Sequence, residues 1–222
     1  MDFSYTIIRK KIKKARISIS LSGEITVKVP LNFSDDYVAH LVELKHRWII
    51  NKLAIMEKKR SQRLQAPVGS IIYLGEIYKL QRNISMGQFT SIDNENKIIL
   101  SGQNLENHEK AAKFYKEQAN IILPSRVQHM ANRHGFNFFK TVTRTMKRTW
   151  GTCNSQKIIT MNKRLILAPI FVIDAIALHE LTHTEIMNHS PKFYERLYQV
   201  CPNYKTAIQW LENLFPINYP YF

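Results

Sequence analysis

Phe171-Val172-Ile173-Asp174-Ala175-Ile176-Ala177-Leu178-His179-Glu180-Leu181-Thr182-His183-Thr184-Glu185-Ile186-Met187 is the stretch from which the rest of the chain can be read. Ile173, Ile176, Ala177 and Leu181 fall at helical spacing and predict one mostly buried helix over 171–187. Inside it, His179-Glu180-Leu181-Thr182-His183 has the form H-E-x-x-H. Residues i and i+4 lie one turn apart on one face, so both imidazoles can point at one ion. Glu180 sits about 100° round from His179, near enough to hold a water at that ion without ligating it. Zinc lowers the pKa of such a water toward about 7, and a carboxylate can take the proton and pass it to a leaving group. The plain alternative is a helix with two surface histidines and a solvated glutamate. A buried setting counts against it, because an unligated histidine pair is costly to desolvate.

Two histidines do not complete a site. His189 follows His183 by six residues; on a continued helix it would stand about 120° away and ~9 Å further along, out of reach. The helix therefore has to end first, and Asn188 is the residue expected to turn the chain in a left-handed conformation. His189-Ser190-Pro191 then places an imidazole at the entry of the next helix, with Ser as N-cap and Pro at the first position. Three protein ligands and one open position are the catalytic arrangement. Glu185, Glu195 and Glu212 are the other candidates for third ligand. Asp174 is better suited to favouring the helix N-terminus than to orienting a ligand. Tyr204, Tyr194, His134 and Arg148 are candidates for stabilising a developing oxyanion, with Arg148 and Tyr204 carried forward as substrate-binding residues.

Working outward, the first hundred residues read mainly as strands. Ile17, Ile19 and Leu21 alternate, and after Ser22-Gly23 so do Ile25, Val27 and Val29, which predicts a hairpin ending at Pro30. Ser34 followed by Asp35-Asp36 starts a helix, whose face runs through Val38, Leu41, Val42, Ile49, Leu53 and Met56 to about Arg60. Ile71 to Leu80, turning at Leu74-Gly75-Glu76, is a second hairpin. Phe89–Ile92 and Lys97–Leu100 flank an Asp93-Asn94 turn. From about Glu106 a long helix carries Pro124 and stops at Gly135. Thr141–Thr145 and Ile158–Met161 read as short strands about Trp150-Gly151, and a last helix runs from about Tyr204 to Leu214. The expected class is α+β, with a β-rich N-terminal domain (1–102) containing one long helix, packed on an α-rich catalytic domain (103–222).

The chain has 222 residues, a net charge of +15 and two cysteines. No apolar run reaches the roughly 18 residues of a membrane span, and Ile7-Ile8 leads into Arg9-Lys10-Lys11 without the apolar core of a signal peptide. Cys153 and Cys201 form neither a C-x-x-C pair nor a disulfide framework, which fits a reducing cytoplasm. Charge is unevenly spread. Residues 1–63 carry 14 Lys/Arg against 6 Asp/Glu, and residues 118–173 carry nine Lys/Arg and no acid. Such a surface, with Arg144, Lys147 and Arg148 near the metal helix, suits an acidic substrate, a nucleotide or non-specific nucleic-acid contact.

The motifs now in hand stand in a telling order: Trp150-Gly151-Thr152-Cys153, Ile159-Thr160-Met161-Asn162, Leu165, Pro169, the H-E-x-x-H, then Asn188-His189-Ser190-Pro191-Lys192-Phe193 and Cys201-Pro202-Asn203-Tyr204. This resembles the YgjP-like metallopeptidase family, zincins akin to the SprT-like and WLM groups. Its pattern runs R-W-G-S-C, I-x-L-N, H-E-L-x-H, N-H-S-x-x-F-W and P-x-Y. The likeness spans most of Lys147 to Leu211, and the hairpins, Trp48-Ile49 and Tyr73-Leu74-Gly75 resemble the family's leading half. It implies a zincin-type helix, zinc on His179, His183 and His189, and Glu180 as acid/base. Thr149 stands where the family has Arg, Thr152 replaces Ser, and Tyr194 replaces Trp. The metzincins share the six-residue gap, but Ile186 occupies the place of their turn glycine. The expected function is a zinc-dependent hydrolase of peptide bonds in proteins or peptides. The alternatives are a metal-dependent phosphohydrolase acting on nucleotides or nucleic acid, and a nucleic-acid-binding adaptor with a structural zinc; the last has no use for Glu180.

Overall fold

The computed structural model describes residues 3–20, 23–61, 63–216 and 221. The chain is α+β and divides into two compact units, residues 1–63 and 64–222. In the first, β1 (Tyr5–Lys10), β2 (Arg16–Ile19) and β3 (Ile25–Pro30) form a sheet of order β1-β3-β2. β2 and β3 make the expected antiparallel hairpin, with Ile17 opposite Val27 and Ile19 opposite Ile25. Leu21 and Ser22, part of the same pattern, lie outside the described residues. β1 is a strand the alternation does not announce: it carries adjacent isoleucines, and it pairs in parallel with β3, a non-local contact signalled by no turn residue.

One helix from Ser34 to about Arg60 is expected, but the chain forms two, α1 (Asp35–Leu44) and α2 (His46–Ser61), broken at Lys45. Ser34 caps α1 by accepting the Tyr37 N–H. At the break the Lys45 N–H turns back to the Val42 carbonyl, closing a tighter turn than the α-helical one. The apolar period survives the break because Val38, Val42 and Ile49 still join one core with Ile25, Val27 and Val29.

Among its described residues the second unit holds two sheets and four α-helices. β4 (Ser70–Tyr73), β5 (Glu76–Arg82), β6 (Thr90–Asp93) and β7 (Ile98–Ser101) have the order β4-β5-β7-β6. α3 (His108–His134) follows, capped by Asn107 and stopped by left-handed Gly135. Then come β8 (Lys140–Arg144), β9 (Gly151–Cys153) and β10 (Ile158–Asn162), in the order β8-β10-β9, and α4 (Ile170–Thr182), α5 (Pro191–Val200) and α6 (Tyr204–Asn213).

The compact units do not part near Ser101-Gly102, where the composition changes, but at 63/64. Ile71, Ile72 and Ile99 of the first sheet share one core with Phe114, Tyr115 and Leu123 of α3 and with Ile173 and Leu181 of α4. Polar bonds seal the join: Tyr115 donates its hydroxyl to the Ile72 carbonyl at 2.7 Å, and Tyr73 donates to Gln118 Oε1 at 2.9 Å. Among the described residues no helix is long and apolar enough to cross a membrane.

Two contacts set α4 in place. The β4–β5 turn puts Leu74 and Gly75 at φ 49 and 82, and their N–H groups bond to the carbonyls of Ile166 and Leu167, just ahead of α4. A methyl on Gly75 would stand 2.4 Å from the Pro169 ring, so only glycine lets this tip dock. Asp174 does not serve the helix N-terminus as expected. It accepts two 2.7 Å bonds from the Arg126 guanidinium, tying α4 to α3.

Candidate metal centre

The predicted helix stops at Thr182, with His183 as its cap, and does not reach Met187. Thr182 and Thr184 turn their hydroxyls onto the Leu178 and Leu181 carbonyls, each at 2.7 Å. The N–H groups of Thr184, Glu185 and Ile186 bond back to Leu181 and Thr182. The last carbonyls are satisfied inside this turn, so the chain can leave the helix axis. Asn188 is not the left-handed residue expected, since the positive-φ non-glycine residues described are Leu74, Lys97 and Lys157. It accepts the Ser190 N–H at 3.3 Å instead, shaping the entry to α5, where Pro191 takes the first helical position.

This exit carries His189 back toward α4. Its Nε2 lies 3.1 Å from Nε2 of His179 and 3.2 Å from Nε2 of His183, and the three rings offer ligand atoms all within 4.8 Å of one another. Beneath them sits fully buried Phe193, its ring centroid 5.0, 4.5 and 4.9 Å from those of His179, His183 and His189. The far nitrogens are anchored as well. His183 Nδ1 is 3.1 Å from the Ile186 carbonyl, and His179 Nδ1 is 2.9 Å from the Tyr204 hydroxyl.

The donor set fits a divalent cation such as zinc. A carbonyl only accepts, so His183 carries its proton on Nδ1 and turns the Nε2 lone pair inward. Four-coordinate zinc with Zn–N of about 2.0–2.1 Å puts its ligand nitrogens roughly 3.3 Å apart, close to the separations found. Burial first, then His183 and His189, holds His179 down to about 4, and burial lowers His183 too. Both therefore stay neutral near pH 7, as ligands must. The Tyr204 hydroxyl is pushed up, chiefly by burial, and stays protonated.

Glu180 lies next to this triad, only 5% exposed, with its carboxyl pushed up to about 8 by burial. It opens on a cleft of about 410 Å³ lined by 149–153 and by the three histidines, Met187, Tyr204 and Ile208. β9 runs so close that a methyl on Gly151 would stand 2.6 Å from Cγ and Oε1 of Glu180 and 2.8 Å from Cδ. No side chain fits there without moving the carboxylate. Gly151→Ala should therefore leave metal content unchanged and lower turnover by about 10²-fold, the scale of an ångström's misplacement. Metal analysis beside steady-state rates checks this; a fully active variant would show that Glu180 need not sit where Gly151 holds it.

Of the residues singled out in the sequence, His179, Glu180, His183, His189 and Tyr204 come together around the cleft. Tyr204 lines the cleft and also meets His179 Nδ1 through its hydroxyl. Arg148 is exposed and precedes Thr149 of the lining without itself lining the cleft. Glu185, exposed like Glu195 and Glu212, accepts a bidentate bond from Arg196 and holds the 183–189 turn to α5. Cys153 lines the cleft with its thiol pushed up to about 11, first by burial and then by Glu180. Gly151 and Phe193 stand in the sequence only as members of the family's motifs, without a role of their own, because their parts depend on what folds against them.

A family model described as YgjP-like, metallopeptidase domain, matches residues 13–214. No curated protein matches the chain. The family implies a divalent metal, and His179, His183 and His189 could bind one.

Proposed function

The chain belongs to the YgjP-like metallopeptidase family, and from that premise we propose a zinc-dependent peptidase in which His179, His183 and His189 hold the ion and Glu180 moves the proton. The observation that carries this reading is the convergence of three Nε2 atoms beside a buried carboxyl in an open cleft. When bound, zinc supplies Lewis acidity, easing deprotonation of water and polarising a carbonyl.

The chain's own groups do the rest. Glu180 accepts the proton of the attacking water on a carboxylate oxygen and delivers it to the nitrogen of the leaving amine. A neighbouring cation favours the carboxylate over the neutral acid that burial alone would give, readying Glu180 to accept. His179 donates from Nδ1 to the Tyr204 oxygen, which fixes its tautomer and aims Nε2 inward. Tyr204 thus acts on substrate through His179, and Arg148 serves as a rim contact through its neighbour Thr149. The unpaired Cys153 and Cys201 fit a reducing compartment such as the cytoplasm.

The test is digestion of an unfolded protein, with cleavage read as new N-termini by mass spectrometry. Chelation should abolish cleavage by about 10²-fold or more, and zinc should restore it. Parallel arms with nucleoside triphosphates and DNA test the phosphohydrolase reading, which the exposed Arg144, Lys147 and Arg148 favour. Metal-dependent phosphate release without peptide cleavage would replace the peptidase with that enzyme.

A further inference from the structure

The first unit carries a surface unconnected with hydrolysis. Residues 9–16 read Arg9-Lys10-Lys11-Ile12-Lys13-Lys14-Ala15-Arg16, and every cation among them is exposed. Strand register sorts the side chains into two faces. Ile25, Val27 and Val29 of β3 belong to the core, together with their partners Tyr5, Ile7, Ile17 and Ile19. Arg9, opposite Val29, shares that side and is paired with Asp35. Side chains alternate along a strand, so Lys10, Lys28 and Arg16 lie on the other face.

That face is chemically one-sided. Lys28 stands directly opposite Arg16 across the antiparallel pair. Like charges so placed, with Cβ atoms about 5 Å apart, repel, and no acid lies on any of the three strands. Glu24, the nearest acid in sequence, precedes β3 at the far end from Lys28. Thr6, Thr26 and Ser18 form a row of hydroxyls beside the cations, and the apolar residues of the face are half-buried Ile8 and buried Pro30. A sheet needs no such arrangement for its own stability, whereas an anion lying across Lys28 and Arg16 relieves it.

We propose that this face binds the phosphodiester backbone of a nucleic acid without reading its bases. Phosphate oxygens accept from lysine, arginine and hydroxyl donors alike, and nucleic-acid interfaces are polar and strongly positive. A protein partner would lean on aromatic or aliphatic anchors and a membrane on inserted apolar side chains; half-buried Ile8 and buried Pro30 supply neither.

The experiment uses the full chain with fluorescein-labelled oligo-dT of about 20 nucleotides and a duplex of about 20 base pairs, titrated from about 50 to about 200 mM salt. Fluorescence anisotropy should show binding that weakens steeply with salt, and the two probes tell single strands from duplexes as its source. Lys10→Glu, Arg16→Glu and Lys28→Glu together should weaken it by about 10²-fold or more and flatten the log–log salt slope by about 2. The corresponding glutamine triple should fall between. Arg16→Glu alone should weaken binding yet keep or raise the melting midpoint, since it sets an acid opposite Lys28. Failure of wild type to bind at the lowest salt, or a salt slope unmoved by the strand variants, overturns the proposal. So does binding lost only on reversing Arg144, Lys147 and Lys157, or tighter binding to polyglutamate or phosphatidylserine vesicles than to either oligonucleotide.

Discussion

Glu180→Gln should keep its metal and its fold and lose nearly all turnover, a drop of about 10²–10⁴-fold in kcat. The amide has the shape of the carboxyl, so its contact with Gly151 and its place in the cleft survive. An amide has no carboxylate oxygen to take a proton from water, and it cannot return one to a leaving amine. The residue is 5% exposed and lines the same cleft as the three imidazoles, so bulk water is poorly placed to substitute for it. The variant is read by metal analysis, circular dichroism and steady-state rates on one preparation. Retained metal with lost rate makes Glu180 the proton carrier. Lost metal would make it a ligand, and retained rate would move the base elsewhere. Compared with Gly151→Ala, which shifts the same carboxylate without removing it, Glu180→Gln should be the more severe.

The site was legible in the sequence to the extent that its residues are local. His179 and His183 share one helix face with Glu180 about 100° round from it, and the need to leave that helix before His189 follows from helical geometry alone. What the sequence could not show is how the exit is made. Asn188 carries the stronger left-handed propensity, yet Thr182 and Thr184 close the helix with side-chain bonds to its last carbonyls. Threonine offers the same hydroxyl at any helical position, and only the tertiary path decides whether it is used. The fold shows the same divide. Hairpins with turn residues, such as β4–β5 at Leu74-Gly75, could be read directly. β1 and the sharing of one core between β4 and α3 rest on contacts between residues far apart in sequence. The break at Lys45 was hidden because the residues on either side keep the same apolar face.

The second large effect concerns the ligands. His179→Ala and His183→Ala should each lose most of the zinc, and the double variant all of it, with hydrolysis falling to background. Zinc binding at a well-formed site is worth roughly 10–16 kcal/mol. Shared among a few ligands, this puts each imidazole at about 3 kcal/mol or more, at least 10²-fold in affinity. His189→Ala should cost a similar factor, because its Nε2 lies 3.1–3.2 Å from the other two. Glu185→Ala, Glu195→Ala and Glu212→Ala should keep zinc. The first of these releases Arg196 and loosens the turn, an exposed pair worth only about 0–1 kcal/mol. Competition against a chromophoric chelator measures all six single variants on one scale. If one of the glutamates proves indispensable while His189 does not, the ion is held by two histidines and a carboxylate. The 183–189 turn would then have to rearrange on binding, swinging His189 out and breaking the pair between Glu185 and Arg196 if Glu185 is the ligand. If His189 behaves like His179 and His183, the turn is already in its metal-binding form, and apo and zinc-loaded protein should differ little in backbone hydrogen exchange from Thr184 to Ser190.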